Sequence, residues 1–108
     1  MTNLSVNVNK IAWLRNAREG SRPNLVELSQ IIIDAGANGI TVHPRPDIRH
    51  IRPNDVSDLR TLTKTNALEL NIEGNPFSKP SSIYPGFMQL IKELRPEIPV
   101  IVMTAHSD

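Results

Sequence analysis

The 108-residue chain contains no cysteine. That excludes disulfides, thiol nucleophiles and cysteine-bound metal, and it fits a reducing compartment. Aromatic residues are scarce, at two phenylalanines, one tyrosine and one tryptophan, and neither sign of charge dominates, with 12 Lys and Arg against 11 Asp and Glu. Without a basic stripe interleaved with aromatics, nucleic-acid binding is not expected. No apolar run approaches the roughly 20 residues of a membrane helix. The N-terminus also lacks a signal-peptide pattern, so a cytoplasmic protein with no membrane contact is expected. Phosphate-loop, dinucleotide-fingerprint and catalytic-triad motifs are all missing.

What is present is ordinary for a soluble globular protein: 39% hydrophobic and 21% charged residues. The length suits one domain with one core, residues 1–108. Leu4–Asn9 alternates strictly, with Leu4, Val6 and Val8 on one face and Ser5, Asn7 and Asn9 on the other, and so predicts a half-buried strand. A polar loop holding Arg15, Arg18, Gly20 and Pro23 is expected next. Asn24–Gly36 then predicts a helix, with Asn24 and Glu27 at capping-box spacing, Leu25, Leu28, Ile32 and Ala35 as its apolar stripe, and Gly36 as its stop. Gly39–His43 predicts a second strand. A second helix begins near Pro53 and carries Val56, Leu59 and Leu62. The third strand sets Leu68, Leu70 and Ile72 against Glu69, Asn71 and Glu73, and the third helix carries Phe87, Leu90, Ile91 and Leu94 until Pro96 ends it. Pro99–Thr104 predicts the fourth strand.

Alternating strands and helices mean right-handed βαβ units and a parallel sheet. The first three strands are apolar on one face only, whereas central strands of a doubly wound sheet are apolar on both. A barrel accounts for this, because helices cover its outside while the inner strand ends surround a polar site. The expected fold is therefore α/β, a (βα)3β4 piece of a (βα)8 (TIM) barrel with strand order 1-2-3-4. Val100–Met103, apolar on both faces, instead suits the alternative, a flavodoxin-like order 2-1-3-4.

Asn9, His43 and Glu73 fall at or near the C-terminal ends of the first three strands, where parallel α/β sheets place their sites. His43 can exchange a proton near neutral pH, and a carboxylate at Glu73 with a raised pKa can do the same. Arg18, Arg45 and His50 follow the first two strands, and guanidinium forks suit phosphate oxygens. The pattern predicts a pocket for an anionic substrate. The competing readings are a His43 bonded only to backbone, a solvated Glu69, surface charges at Arg49 and Arg52, and a solvated His106. His43, His50 and Glu73 match no familiar metal-ligand spacing, so no metal is expected.

Asn7–Arg18 ("NVNKIAWLRNAR"), Gly36–Ile51 ("GANGITVHPRPDIRHI") and Leu70–Gly74 ("LNIEG") closely resemble the pyridoxine 5′-phosphate synthase family over about residues 3–92. That family condenses 3-amino-2-oxopropyl phosphate with 1-deoxy-D-xylulose 5-phosphate in vitamin B6 synthesis, on a complete eight-stranded barrel. The resemblance implies that His43 and Glu73 are the acid–base catalysts. Glu73 is reached by a one-residue shift around the third strand, and Glu69 is the alternative. It further implies that Asn7 and Arg18 contact the amino-ketone phosphate, and that Asn9, Lys10, Arg45 and His50 contact the deoxyxylulose phosphate. Some members carry Asp-His where this chain has Asn9–Lys10. No cofactor is implied.

The chain departs from the family in two ways. It has no counterpart of strands five to eight, which carry a late catalytic histidine and phosphate-binding loops. Its tail, Leu90–Asp108, is similar to response-regulator receiver domains, with Thr104 at the position of their sensing hydroxyl. The expected organisation is a synthase-like part over 1–92 joined to a receiver-like strand and tail over 93–108. Little or no turnover is expected from such a chain alone. The alternative is a chimeric or evolutionary-fragment α/β scaffold with no catalytic function. Open sheet edges suggest a homo-oligomer.

Overall fold

A computed structural model describes residues 3–18, 21–75 and 77–94 and, as a strand, 100–104. In chain order the elements are β1 (Ser5–Asn7), α1 (Asn9–Ala17), α2 (Leu25–Asp34), β2 (Gly39–Val42), α3 (Pro53–Thr65), β3 (Glu69–Gly74), α4 (Phe87–Leu94) and β4 (Val100–Thr104). Expectations for Gly20, Pro96, Pro99 and His106, and for the side chains of Val100–Thr104, lie outside the described residues.

The strands form one parallel sheet in the order β1-β2-β3-β4. Val6 stands beside Ile40 and Ile40 beside Leu70, so the apolar residues of three strands line up in rows. An order of 2-1-3-4 would require β1 between β2 and β3. Instead β2 pairs directly with β3, from Gly39 opposite Glu69 to Val42 opposite Ile72.

Side chains alternate across a strand, and the two faces have separate fates. Ile40, Val42, Leu70 and Ile72 are buried in a single cluster with Ala12 of α1, Leu25 of α2, Val56 and Leu59 of α3, and Phe87, Leu90 and Leu94 of α4. All four helices therefore cover the same face. The opposite face is polar: Ser5 and Thr41 share a hydroxyl–hydroxyl hydrogen bond of 2.6 Å, and Asn71 Nδ2 donates to Ser5 Oγ at 2.9 Å.

The helix ends follow local chemistry. The Asn24 side chain accepts from the Glu27 N–H at 3.0 Å and starts α2. Gly36, at φ 114°, closes α2: its N–H donates to the Ile33 carbonyl and that of Ala37 to the Ile32 carbonyl. Pro53 occupies the first turn of α3, and the Asp55 carboxylate accepts from the Arg52 N–H at 2.9 Å. At the end of β3, a side chain on Gly74 would overlap the Phe87 ring, so the residue there must be glycine.

Four expectations need correction. The stretch after β1 is helical in α1, whose inward side carries Ala12, Arg15 and Asn16 while Trp13 and Leu14 stay 41% and 44% exposed. Apolar periodicity cannot find a helix with polar residues inward and a tryptophan outward. Asn9 is the first residue of that helix, not the last of β1. Leu4 is 59% exposed, ahead of a strand that begins at Ser5. Ala35 is exposed at the end of α2, and the residue buried on that helix beside Leu25 is Ser29.

Candidate active site

The site is built at the C-terminal ends of β1, β2 and β3. The register ends with Val42 beside Ile72, so His43 follows the last paired residue of β2 and Glu73 follows that residue's partner in β3. Glu73 is half-buried, on the same polar face as Asn71. His43 is 7% exposed, followed by a buried Pro44. Its N–H donates to Asn9 Oδ1 at 2.9 Å, so the first residue of α1 fixes the peptide that carries the histidine. Asn7 Oδ1 in turn accepts from the Asn9 N–H at 2.9 Å. Asn7 and Asn9 thus form a relay of side-chain-to-backbone bonds from β1 to the end of β2.

Beneath this level lies the Ser5–Thr41–Asn71 group. Asn71 is 9% exposed, and its Oδ1 is buried without a hydrogen-bond partner among the described residues. A buried acceptor left open on a polar face suits a ligand or water that can donate.

A cationic group stands beside the loop from His43 to Arg52. His50 is half-buried, and its Nδ1 has no hydrogen-bond partner among the described residues. Burial lowers its pKa below the usual 6.5, the positive charge of Arg45 lowers it further, Asp47 opposes, and Lys10 and Arg49 add to the depression. Charges that disfavour the imidazolium would stabilise an anion placed among them. Arg45 is exposed, and its carbonyl accepts from the Ile48 N–H at 3.0 Å in a turn. Lys10 is exposed, with Nζ 5.6 Å from the centre of the Trp13 ring. Arg49 lines a cleft of about 400 Å3 with Trp13, Asn16 and Ala17.

The structure therefore joins Asn7, Asn9 and His43 by hydrogen bonds, sets Glu73 one residue beyond the partner of Val42, and brings Lys10 and Arg45 within electrostatic reach of His50. Arg18 is exposed at the C-terminal cap of α1, where its N–H donates to the Arg15 carbonyl at 3.2 Å. Glu69 is half-buried at the opposite, N-terminal end of β3, away from His43 along the strand. Among the described residues no three His, Asp or Glu side chains cluster to hold a metal ion, and no helix is long and apolar enough to cross a membrane.

Sequence reasoning gave no role to Arg15, Asn16 or Asp55. Arg15 forms a two-pronged ion pair with Asp55 at 2.6 and 2.7 Å, with both side chains largely buried. That hydrogen bond raises the Arg15 pKa, against the lowering effect of burial. The capping position of Asp55, three residues after Arg52, was the one available signal.

The family model for the pyridoxal phosphate biosynthesis protein PdxJ matches residues 4–107. Pyridoxine 5′-phosphate synthase of Xanthomonas axonopodis pv. citri (strain 306) is 58% identical over 96 residues, covering 89% of this chain and 38% of that protein. The enzyme of the same name from Xylella fastidiosa (strain M12) is 57% identical over 95 residues, covering 88% of this chain and 36% of that protein. The chain thus spans under two-fifths of the length of these curated relatives. The family match extends to residue 107, over the tail for which a receiver-like origin is expected from sequence pattern. With the family model matching residues 4–107, the chain belongs to the PdxJ family.

Proposed function

We propose that this chain carries the early part of a pyridoxine 5′-phosphate synthase active site, on the first four strands of a (βα)8 barrel. In this reading His43 and Glu73 move protons during the condensation of 3-amino-2-oxopropyl phosphate with 1-deoxy-D-xylulose 5-phosphate. Joining an amine to a ketone releases water, and forming a ring carbon–carbon bond requires a proton to leave carbon. Both steps call for a positioned acid and base. Lys10, Arg45 and His50, with Asn9, hold the deoxyxylulose phosphate, while Asn7 and Arg18 serve the amino-ketone phosphate.

The observation that carries this reading is the Val42–Ile72 pairing that ends the β2–β3 ladder, with His43 and Glu73 each the next residue along the chain, beside cations that depress the His50 pKa. Exposure supports a division of labour: His43 is nearly enclosed, as an acid–base group benefits from being, while Arg18 and Arg45 are open to solvent, where a phosphate arrives. The chain by itself binds phosphate esters and turns over little or nothing, because a barrel site draws residues from the ends of many strands. A scaffold without catalytic function would bind neither substrate.

Incubation with both substrates and detection of pyridoxine 5′-phosphate measures turnover, and any genuine signal must vanish in His43→Ala. Calorimetry with each phosphate ester measures the half-site. Binding that weakens in Arg45→Ala supports the reading, and the absence of binding at millimolar ligand refutes it.

A further inference from the structure

We propose that Asn16 is the positioning residue of the anion loop, holding the Ile48–His50 backbone through its side-chain amide and tying it, through Arg15 and Asp55, to the start of α3. The inference rests on the reading of that loop as a phosphate holder for its functional meaning, but its geometry stands apart from it.

Asn16 Nδ2 donates to the carbonyls of Arg49 at 2.8 Å and His50 at 2.7 Å, with the Ile48 carbonyl at 3.5 Å. An amide nitrogen has two hydrogens, and both are used. Asn16 Oδ1 accepts from Arg15 Nε at 3.0 Å and Nη2 at 2.9 Å. Arginine has no acceptor, so it can face only the amide oxygen, and this fixes which end of Asn16 meets the loop. The other edge of the guanidinium grips Asp55, whose Oδ2 also accepts from the Arg52 N–H. The network thereby holds the loop on both sides of the fully buried Ile51.

The loop needs such a restraint. Ile48 sits at φ 49°, in a left-handed conformation that β-branched residues rarely adopt. Strain of this kind persists only where the surroundings over-determine it, and it gathers at ligand-holding segments. Releasing Asn16 lets Ile48 relax, and His50 then leaves its half-buried place beside Arg45 and Lys10. Asp47 and Arg49, the remaining charged groups that act on His50, are exposed and ride on the same loop.

The test uses Asn16→Ala and Asn16→Leu, the latter keeping most of the volume without the amide's donors and acceptor. Histidine side-chain NMR follows the His50 titration and, in the same samples, binding of inorganic phosphate. In both variants the His50 pKa should rise toward the ordinary value of about 6.5. The phosphate dissociation constant should increase about tenfold, the scale of losing one or two hydrogen bonds that hold a site together. Variants that fold but leave the His50 titration unmoved overturn the proposal. If the titration moves but phosphate binds neither the parent nor the variants, the clamp stands and the phosphate reading falls. In the unmodified protein the Asn16 side-chain amide protons should exchange slowly and show scalar coupling to the Arg49 and His50 carbonyls. Exchange as fast as that of an exposed amide overturns the clamp without any substitution.

Discussion

His50 occupies a place where a histidine is discouraged from taking up a proton, by burial first and by Arg45 next. Its folded-state pKa lies below its unfolded value, so below about pH 6.5 the unfolded chain binds a proton more readily than the folded one. The stabilisation from a neutral His50 is therefore complete above that pH and is lost as pH falls through the folded pKa. The urea midpoint should decline from pH 7 to pH 5, and His50→Gln should flatten part of that slope. Equal slopes in parent and variant would refute the assignment. The sequence already singled out His50, His43, Asn9 and Arg45, because strand ends followed by basic loops have recognisable chemistry. It could not single out Asn16, whose partners are main-chain carbonyls. Every residue has a carbonyl, so no pattern of side chains marks the one that will be gripped.

At the scale of elements, amphipathic order was legible wherever apolar residues alone make the contact. The α3 residues Val56 and Leu59 and the α4 residues Phe87, Leu90 and Leu94 are buried as their spacing predicts. In α1 the inward side mixes Ala12 with Arg15 and Asn16, and its polar composition reads as a loop. Helix ends show a second, subtler mismatch. α2 and α3 close by the same pair of backbone bonds: Leu68 N–H reaches the Thr63 carbonyl at 2.8 Å and Ala67 N–H the Lys64 carbonyl at 3.1 Å, as Ala37 and Gly36 do after α2. The left-handed position is glycine in α2 but alanine in α3, where Ala67 has φ 56°. A Cβ in that region costs about 1 kcal/mol. Ala67→Gly should therefore stabilise the chain, less the entropy that glycine adds to the unfolded state, by roughly 0.5 kcal/mol in chemical denaturation. A destabilised variant would mean that the α3 terminus does not close in this way.

At the scale of the whole molecule, one sheet face is covered by all four helices and the other carries the Ser5–Thr41–Asn71 group and the catalytic candidates. In a parallel barrel the second face is enclosed by further strands that continue the curvature. Here β1 pairs only with β2 and β4 only with β3, which leaves two strand edges with unpaired backbone groups among the described residues. Such edges are templates for another strand, and a net charge of +1 offers little repulsion to a second copy. The β1 edge is three residues long and recruits weakly, whereas the β4 edge is five. We propose that residues 1–108, taken by themselves, associate as two copies through these edges, each shielding the polar face of the other. Sedimentation velocity from low to high micromolar protein should show a mass rising from one chain of 12.0 kDa toward two. Adding a phosphate ester should favour the dimer if the shared face holds the ligand. A mass that stays at one chain across the whole concentration range would mean that the edges are blunted, and that the polar face stays open to solvent.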